Sequence, residues 1–340
     1  MTYTLPPLLQ DKVSDLNGKS VLITGGTGSF GQAFARLLLE QYEPKKVVLL
    51  SRDEQKHYAI QQVWKDSRLR FFVGDIRDKD RLRRAFSGID YVFHAAAMKH
   101  VHISEYNPIE AIRTNVDGAA NVIDAAIECG VKRVVALSTD KAVNPVNLYG
   151  ATKLCMEKLF VAANSYSGED GPQFDLVRYG NVVGSKGSVV PLFLKQKEQG
   201  ALTITEPTMT RFWIGMSRAL ELVLLALREG LGGEVFVPKL PACTVETLAQ
   251  AIAPNTPIQS IGIRPGEKMH EAMITEDESL NVVEYDQYYV IRPNFASWGG
   301  PSRTTGKPCT DRFSYSSDIT YQLNVEETQD LLVEFGFLNR

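Results

Sequence analysis

The 340-residue sequence predicts an α/β fold: a doubly wound parallel sheet with a smaller C-terminal domain. Two observations carry this prediction. Short runs of Val, Ile and Leu alternate with segments whose apolar residues recur at helical spacing through the first half of the chain. Continuous apolar strands alternating with helices indicate a parallel sheet that is buried on both faces, the architecture that binds nucleotides.

The elements of the first half are predicted in order. The first strand is SVLITGG, and the helix SFGQAFARLLLEQ follows it. Strands KVVLLS and LRFFVGD, the short helix RLRRAFSG and a fourth strand, DYVFHAAA, come next. A long helix, NPIEAIRTNVDGAANVIDAAIECG, is predicted to end at Gly130, and the fifth strand, KRVVALST, follows it. These elements and the next helix form a domain that we place at residues 1–175, with an N-terminal extension over residues 1–18.

The pattern loosens after about Phe174, where Pro, Gly and polar residues are more frequent. FDLVRYGNVVG and GEVFVPK are predicted as strands, and MSRALELVLLALREG and TVETLAQAIA as amphipathic helices. We expect residues 176–340 to form mainly a substrate-binding domain, with segments returning to the first sheet. Residues 294–318 are rich in turn formers and are expected to wrap the surface.

Composition excludes several classes of protein. A net charge of −3 and a pI near 6.0 argue against nucleic-acid binding. The sequence has neither a run of about 18 apolar residues nor a basic start followed by an apolar segment, so we expect no membrane association and a cytoplasmic protein. The four cysteines and five histidines are scattered, which favours reduced thiols and no metal site.

A glycine-rich turn, TGGTGSFG, joins the first strand to the first helix. Glycines at a GxxGxxG spacing permit a tight turn and let a pyrophosphate approach the helix N-terminus. The turn therefore predicts a dinucleotide site. Its expected contacts are Gly25, Thr27, Gly28, Ser29, Phe30 and Gly31, with Ala95, Ala96 and Ala97 after the fourth strand.

The end of the second strand distinguishes NAD from NADP. A carboxylate there binds the ribose 2′-hydroxyl, whereas a positive residue accommodates the 2′-phosphate. Ser51 and Arg52 occupy this place and favour NADP, although Asp53 lies one step from a NAD-type position. Asp75 and Ile76 follow the third strand, where an adenine amino group could be met.

These motifs resemble a known family. The glycine turn, HAAA, YxxxK and RYGNVVGS resemble extended short-chain dehydrogenases/reductases that act on nucleotide sugars. HAAAMKHV, STDKAVNPVNLYGATK, MTRFW and RPGEKMHE resemble, more specifically, the inverting UDP-N-acetylglucosamine 4,6-dehydratases of the PseB type. The resemblance runs from Lys19 to Glu271. It implies a Rossmann domain, NADP, a UDP-sugar substrate and the first step of pseudaminic acid biosynthesis.

The resemblance also implies roles for three residues. Tyr149 would accept the proton of the sugar C4 hydroxyl while hydride leaves C4 for the nicotinamide. Lys153, four residues later on the same helix face, would hold the nicotinamide ribose and lower the Tyr149 pKa through its charge. Thr139 would hydrogen-bond the developing C4 oxygen.

Asp140 and Lys141 lie side by side just upstream of this pair, where an oxidation alone would not need them. A 4-keto group acidifies the C5 proton, so elimination of the C6 hydroxyl requires a base and an acid. Asp140 is the candidate acid and Lys141 the candidate base. A neutral amine needs a lowered pKa, which we expect from burial beside Lys153 and an oxidised nicotinamide. The resemblance implies that an Asp-Lys pair inverts C5, whereas an Asp-Glu pair retains its configuration.

The nucleotide sugar is expected to contact polar residues further along the chain. By resemblance, Asn181 and Arg264 are candidates for the diphosphate, for which the planar donor fork of Arg is suited. Weaker candidates are Arg211, Glu267 and Lys99, which follows the fourth strand.

Two other functions remain open. A UDP-sugar 4-epimerase shares the fold, Tyr and Lys but does not need Asp140 and Lys141. A non-catalytic NADP-binding protein on the same scaffold would tend to lose Tyr149 or Lys153. The resemblance further implies a homo-oligomer, either a dimer or a hexamer.

Overall fold

The computed structural model describes residues 6–9, 13–168, 170–184, 187–294 and 303–339. The first half alternates strands with helices. Its strands are β1 (Ser20–Thr24), β2 (Lys46–Ser51), β3 (Leu69–Val73), β4 (Tyr91–His94), β5 (Arg133–Thr139) and β6 (Gln173–Tyr179). Its helices are α1 (Ser29–Gln41), α2 (Glu54–Val63), α3 (Lys79–Phe86), α4 (Val101–Tyr106), α5 (Pro108–Ile112), α6 (Gly118–Glu128) and α7 (Leu148–Tyr166).

The six strands form the predicted parallel sheet in the order β3-β2-β1-β4-β5-β6, which confirms the fold class. Every residue of β1 and β4 is buried, as expected for central strands covered on both faces. The strand order reverses between β1 and β4. At such a reversal, the carboxyl ends of the two strands border a crevice in which ligands bind.

The predicted long helix over residues 107–130 is interrupted. It consists of α5, a π-helical turn at Arg113–Asp117, and α6. The turn carries the buried Asn115, whose side chain bonds both backbone groups of Met98 at 2.8 and 2.9 Å. Its amide also donates to the Thr152 hydroxyl at 2.9 Å. Asn115 thus fixes the loop after β4 against α7, and α2 is a further helix that the sequence pattern did not predict.

The second half contains many short strands and five helices within the described residues. The strands are β7 (Asn181–Val182), β8 (Leu202–Ile204), β9 (Thr210–Ile214), β10 (Val235–Pro238), β11 (Ala242–Thr244), β12 (Ile258–Ser260), β13 (Ala272–Ile274), β14 (Val282–Glu284), β15 (Tyr288–Ile291), β16 (Lys307–Pro308) and β17 (Tyr315–Ser316). The helices are α8 (Val189–Glu198), α9 (Met216–Glu229), α10 (Val245–Ile252), α11 (Glu276–Ser279) and α12 (Val325–Glu334).

The predicted strand FDLVRYGNVVG is two strands, β6 and β7, separated at Gly180. A Cβ on Gly180 would lie 2.6 Å from the Phe212 Cβ, so the close approach of β9 requires glycine. At this point the chain leaves the large sheet for a small one in the order β11-β9-β7.

Four strands of the second half join the large sheet. β10 pairs in parallel with β6, and β15, β14 and β16 extend the sheet by antiparallel pairing. A separate hydrophobic cluster packs the remaining elements together. Its largest buried members include Phe193, Trp213, Leu248 and Leu332.

Residues 304–308 and 310–312 are exposed, as expected for a stretch that wraps the surface, and residues 295–302 lie outside the described residues. Arg303 has a side chain only 3% exposed and pairs with Glu234 at 2.6 Å. β16 adds an edge strand to the large sheet, and β17 pairs with β13. The buried ion pair and these pairings hold the segment to the core. No helix in the described part of the chain is long and apolar enough to span a membrane.

Candidate active site

The glycine turn between β1 and α1 has the geometry of a phosphate cradle. Gly25 has a φ of +68°, and a Cβ there would lie 2.9 Å from the Ala96 nitrogen. A Cβ on Gly31 would lie 2.5 Å from the Gly26 Cα, so helix and strand pack too closely for a side chain. Gly28 is the N-cap of α1, and the helix start presents backbone N–H groups where an anion is favoured. The turn therefore fits a dinucleotide pyrophosphate, with Ser29 and Phe30 in the first helical turn.

A hydrogen-bonded chain of side chains closes the end of β2. The hydroxyls of Thr27 and Ser51 lie 2.8 Å apart, and Ser51 Oγ lies 3.0 Å from Nε2 of the buried His57. Burial lowers the pKa of His57, which favours its neutral form. His57 was not among the residues predicted from the sequence. Its signal was the position on α2, immediately after the strand end where the cofactor ribose is expected.

Arg52 lies next to these hydrogen-bonded side chains. Its own side chain is 56% exposed, and its guanidinium lies 3.6 Å from Asp75 Oδ2. Burial alone would raise the pKa of Asp75, but hydrogen bonds and charge from Arg77, with the charge of Arg52, hold it below its usual range. Ile76 is buried against α6, where a Cβ on Gly118 would meet its Cδ1 at 2.7 Å. The residues predicted to contact the adenosine half thus lie along one edge of the crevice.

The segment after β4 lies opposite the glycine turn. The N–H groups of Ala95 and Ala96 donate to Thr24 Oγ1, each at 3.2 Å, and Ala97 beyond them is exposed. Lys99 follows, and desolvation of its ammonium group lowers its pKa. The backbone of this segment is therefore fixed at the crevice.

Helix α7 brings Tyr149 and Lys153 into the site. Both are buried, and Lys153 Nζ donates to the Leu137 carbonyl at 2.6 Å. Burial lowers the pKa of Lys153 to about 8 and raises the pKa of Tyr149 to about 12. The expectation that Lys153 lowers the Tyr149 pKa is not met. The cation that opposes the rise is Lys141, helped by a hydrogen bond with Thr139.

Asp140 and Lys141 follow β5 in a 3₁₀ turn and form a cluster with a third residue, Glu271. Asp140 Oδ1 accepts from the Thr139 hydroxyl at 2.9 Å and from Lys141 Nζ at 3.0 Å. Lys141 Nζ also lies 3.1 Å from Glu271 Oε1 and 3.4 Å from Asn181 Oδ1. One ammonium group thus bridges two carboxylates that are both almost completely buried.

The expected lowering of the Lys141 pKa is wrong. Burial does act in that direction, but the negative charges of Asp140 and Glu271 outweigh it and raise the pKa above the usual value. Burial also raises the pKa of Asp140, and the charge of Glu271 adds to this rise. The second carboxylate at Lys141, that of Glu271, was not predicted from the sequence.

Glu271 belongs to the loop that carries the RPGEKMHE motif. Burial would raise its pKa, but the charges of Lys141, Arg211 and Lys268 hold it below its usual value. The motif had drawn attention to Glu267 instead. The available signal was the second carboxylate at the end of the motif, four residues after Glu267.

The structure brings only some of the predicted substrate-binding residues to this cluster. Asn181 contacts Lys141, whereas Arg211 donates to the backbone carbonyls of Thr210, Lys268 and Met269. Arg264 is exposed, and Glu267 Oε2 is buried without a hydrogen-bond partner among the described residues.

The RPGEKMHE loop is fastened to the start of α7. Asn147, the N-cap of α7, accepts from the Gly150 N–H at 2.8 Å and donates to the Gly266 carbonyl at 2.7 Å. Lys268 Nζ donates to the Val143 carbonyl at 2.6 Å. The loop, the Asp140 turn and the helix bearing Tyr149 therefore form one unit.

Comparisons with known proteins identify relatives of this chain. The model of the family described as "Polysaccharide biosynthesis protein" matches residues 21–293. A curated relative from Campylobacter jejuni, named UDP-N-acetylglucosamine 4,6-dehydratase (inverting), is 51% identical over 89% of this chain and 93% of its own length. A relative from Rickettsia canadensis named UDP-glucose 4-epimerase is 40% identical over 94% of this chain and 97% of its own.

Solved structures share the fold of this chain. Pen from Bacillus thuringiensis superposes with a TM-score of 0.87 at 39% identity, over 95% of this chain and 99% of that one. DesIV from Streptomyces venezuelae, a dTDP-glucose 4,6-dehydratase solved with NAD bound, gives a TM-score of 0.67 at 25% identity, over 74% and 86%. The chain belongs to the family described as "Polysaccharide biosynthesis protein", and it is a relative of the inverting UDP-N-acetylglucosamine 4,6-dehydratases.

Proposed function

We propose that this protein removes water from UDP-N-acetylglucosamine across C5 and C6 with inversion at C5, giving UDP-2-acetamido-2,6-dideoxy-β-L-arabino-hex-4-ulose. The observation that carries the proposal is the buried Asp140–Lys141 pair, which lies beside Tyr149 and is held by Glu271. Oxidation and reduction at C4 need only Tyr149 and Lys153. A paired acid and base is what an elimination adds.

A nicotinamide dinucleotide fits the residues present. The glycine turn would hold the pyrophosphate, Ala95 to Ala97 would border the ring, and Lys153 would hold the nicotinamide ribose. When bound, the cofactor supplies the reversible oxidation of the sugar. Tyr149 accepts the proton of the C4 hydroxyl, and the charge of Lys141 favours the phenolate that this transfer needs.

The elimination is assigned to Asp140 and Lys141. Lys141 accepts the C5 proton as an amine, and Asp140 gives its proton to the C6 hydroxyl, which departs as water. Because Lys141 Nζ lies 3.0 Å from Asp140 Oδ1, proton exchange within the pair can generate the amine and the carboxylic acid together. The pair supplies both partners of the elimination from one shared proton.

NADP is the proposed form of the cofactor. Arg52 is exposed at the end of β2, next to the hydroxyl chain of Thr27 and Ser51, where a 2′-phosphate would be met. Arg52→Asp is expected to reverse the preference toward NAD, measured as the ratio of the two dissociation constants. Arg36→Asp, at an exposed arginine of α1 that lies over the Trp64 ring, is the matched control. A wild type that binds NAD more tightly than NADP would overturn this assignment.

Mass spectrometry and NMR of the product test the reaction. With UDP-N-acetylglucosamine in deuterated water, we expect loss of one water, deuterium at C5 and the L-arabino configuration. A product with the D-xylo configuration would contradict inversion but leave the dehydration intact. Pseudaminic acid biosynthesis is the proposed pathway for the product.

A UDP-sugar 4-epimerase is the second candidate, favoured by the relatives that carry that name at 40% identity. It would convert UDP-N-acetylglucosamine to UDP-N-acetylgalactosamine without a change of mass, so the same experiment separates the two. A non-catalytic NADP-binding protein would give no product, although the presence of both Tyr149 and Lys153 speaks against it.

The remaining proposals concern organisation. The diphosphate is assigned to Asn181 and Arg264, with Arg211, Glu267 and Lys99 as further contacts. Residues 1–175 would form the cofactor domain and 176–340 mainly the substrate domain. We also propose a cytoplasmic homo-oligomer, either a dimer or a hexamer, which sedimentation would distinguish.

A further inference from the structure

Glu271 contacts the proposed base from an element that the sequence places far from it. Its side chain is 3% exposed, and Oε1 lies 3.1 Å from Lys141 Nζ. Its backbone N–H donates to the Ser317 hydroxyl at 2.9 Å, and that hydroxyl lies 2.7 Å from the hydroxyl of Thr210. Glu271 is therefore fixed from both ends, and its carboxylate is held in place at Lys141.

Glu271 is ion-paired, but its hydrogen bonding is incomplete. Its Oε2 is buried and has no hydrogen-bond partner among the described residues; Lys268 Nζ approaches it at 3.5 Å only as an ion pair. Replacing such a group by an apolar one is often neutral or stabilising. A carboxylate that is buried at this cost, and aimed at the proposed base, points to a role in the reaction.

We propose that Glu271 is a positioning residue for Lys141: it orients the Lys141 amine and stabilises the positive charge that forms as the C5 proton arrives. This inference rests on the proposed dehydration. In that step the C5–H bond breaks and its proton goes to Nζ, while the C6–O bond breaks and the hydroxyl takes the Asp140 proton to leave as water. Positive charge thus develops 3.1 Å from Glu271, as it does on a histidine oriented by an aspartate in a hydrolase triad.

Glu271 also separates the two roles of the pair. Asp140 accepts hydrogen bonds from Thr139 and Lys141 on one oxygen, and its buried Oδ2 has no hydrogen-bond partner among the described residues. If Lys141 had Asp140 as its sole anionic partner, the ammonium that forms when Lys141 takes the C5 proton would depend on the same carboxyl group that gives its proton to the C6 hydroxyl. The charged and titratable groups that face Glu271 are Asp140, Lys141, Tyr149, Arg211 and Lys268.

The test compares Glu271→Gln, Glu271→Asp and a matched control, Glu234→Gln. Glu234 is equally buried and paired with Arg303, but at the amino end of the parallel strands. Glu271→Gln is expected to form reduced nicotinamide from bound substrate as the wild type does, yet to release water at least ~100-fold more slowly. The high-pH limb of its elimination profile should move to lower pH. Glu271→Asp should recover part of the rate, and Glu234→Gln should leave rate and profile unchanged.

A second measurement does not depend on turnover. NMR titration of the Lys141 side chain, assigned with Lys141→Met, should give a lower pKa in Glu271→Gln than in the wild type or Glu234→Gln. Equal rates in Glu271→Gln and the wild type, or a slower rate with unchanged profile and unchanged Lys141 titration, would overturn the role of Glu271. If the wild type gives no dehydrated product, the proposed function is wrong. The titration of Lys141 would then still show whether Glu271 interacts with it.

Discussion

The clusters around Arg178 and Lys141 each hold a cation between two carboxylates, and they differ in how completely their hydrogen bonds are satisfied. Arg178, on β6, donates to both oxygens of Glu157 at 3.0 and 2.6 Å and to both oxygens of Glu278 at 3.1 and 2.9 Å. It also donates to the Met273 carbonyl at 2.7 Å. In the cluster of Lys141, one oxygen of Asp140 and one of Glu271 are buried with no hydrogen-bond partner in the described part of the chain.

The difference separates a structural network from a reactive one. A planar guanidinium can serve two carboxylates at once, so the Arg178 cluster fixes β6, α7 and α11 in one arrangement. A lysine ammonium is a point charge on a flexible stem, and it leaves some carboxylate oxygens without a hydrogen-bond partner. Unsatisfied buried oxygens cost free energy, and such groups occur where a ligand or a proton completes them.

The largest effect is expected at the hydroxyl that lies against the reactive cluster. Tyr149→Phe removes the atom that accepts the C4 proton, so turnover of UDP-N-acetylglucosamine should fall by about 10⁴-fold. Nucleotide-sugar binding, measured by calorimetry, should change little because only one oxygen is lost. Tyr91→Phe, which is also buried but lies at the amino end of β4, is the control. Near-normal turnover in Tyr149→Phe would mean that another group accepts the C4 proton.

Replacing Lys141 or Arg178 by methionine tests whether the first cluster is reactive and the second structural. Lys141→Met should slow dehydration by about 10³-fold. It should lower stability much less than Arg178→Met, because Asp140, whose pKa is already raised, can take up a proton. Arg178→Met leaves Glu157 and Glu278 uncompensated and should cost roughly 3–5 kcal/mol of unfolding free energy. Urea unfolding and turnover of both variants decide this, and a more stable Arg178→Met would refute the structural assignment.

The sequence was sufficient for the parallel sheet of the first half because the signals of its strands are local. Apolar strands, the glycine turn and the Tyr149–Lys153 spacing each lie within a few residues. The interruption at Asn115 was not predicted, because a single π-turn between two helices is hard to see in the pattern of apolar residues. The ion pair of Arg303 was not predicted, because its sequence neighbours are turn formers and its partner, Glu234, lies 69 residues away.

The electrostatics of the site could not be predicted from its segment alone. Within STDKAVNPVNLYGATK, Lys141 has Asp140 and Lys153 as charged neighbours, and burial then favours a lowered pKa. The structure adds Glu271 from 130 residues away, and its charge reverses the direction. Ser51 is similar, since its partner His57 is visible only when α2 folds back on the strand end.

A smaller effect is expected where the helix bearing Tyr149 touches the reactive turn. A Cβ on Gly150 would lie 2.1 Å from the Lys141 carbonyl oxygen, so Gly150→Ala must displace Lys141 relative to Tyr149. A displacement of this kind should slow dehydration roughly 10²-fold. In Gly118→Ala the new Cβ meets the end of the Ile76 side chain, which can rotate, so turnover should fall less. Equal rates for the two variants would show that the turn does not set the position of Lys141.

The smallest effect distinguishes the two lysines of the site by the pH dependence of stability. Burial lowers the pKa of Lys153 to about 8 from an ordinary value of 10.5, so between these values the unfolded chain binds more protons and stability rises with pH. Lys153→Met should lose this rise, which amounts to about 1–3 kcal/mol.

Lys141 has a raised pKa, so its contribution to stability is fully present below pH 10.5 and is lost only above it. Urea unfolding at several pH values should therefore show a difference between wild type and Lys153→Met that grows from pH 8 to 10.5, and a constant difference for Lys141→Met. Parallel curves for Lys153→Met would mean that Lys153 keeps its proton, and that the Leu137 carbonyl holds it as firmly as two carboxylates hold Lys141.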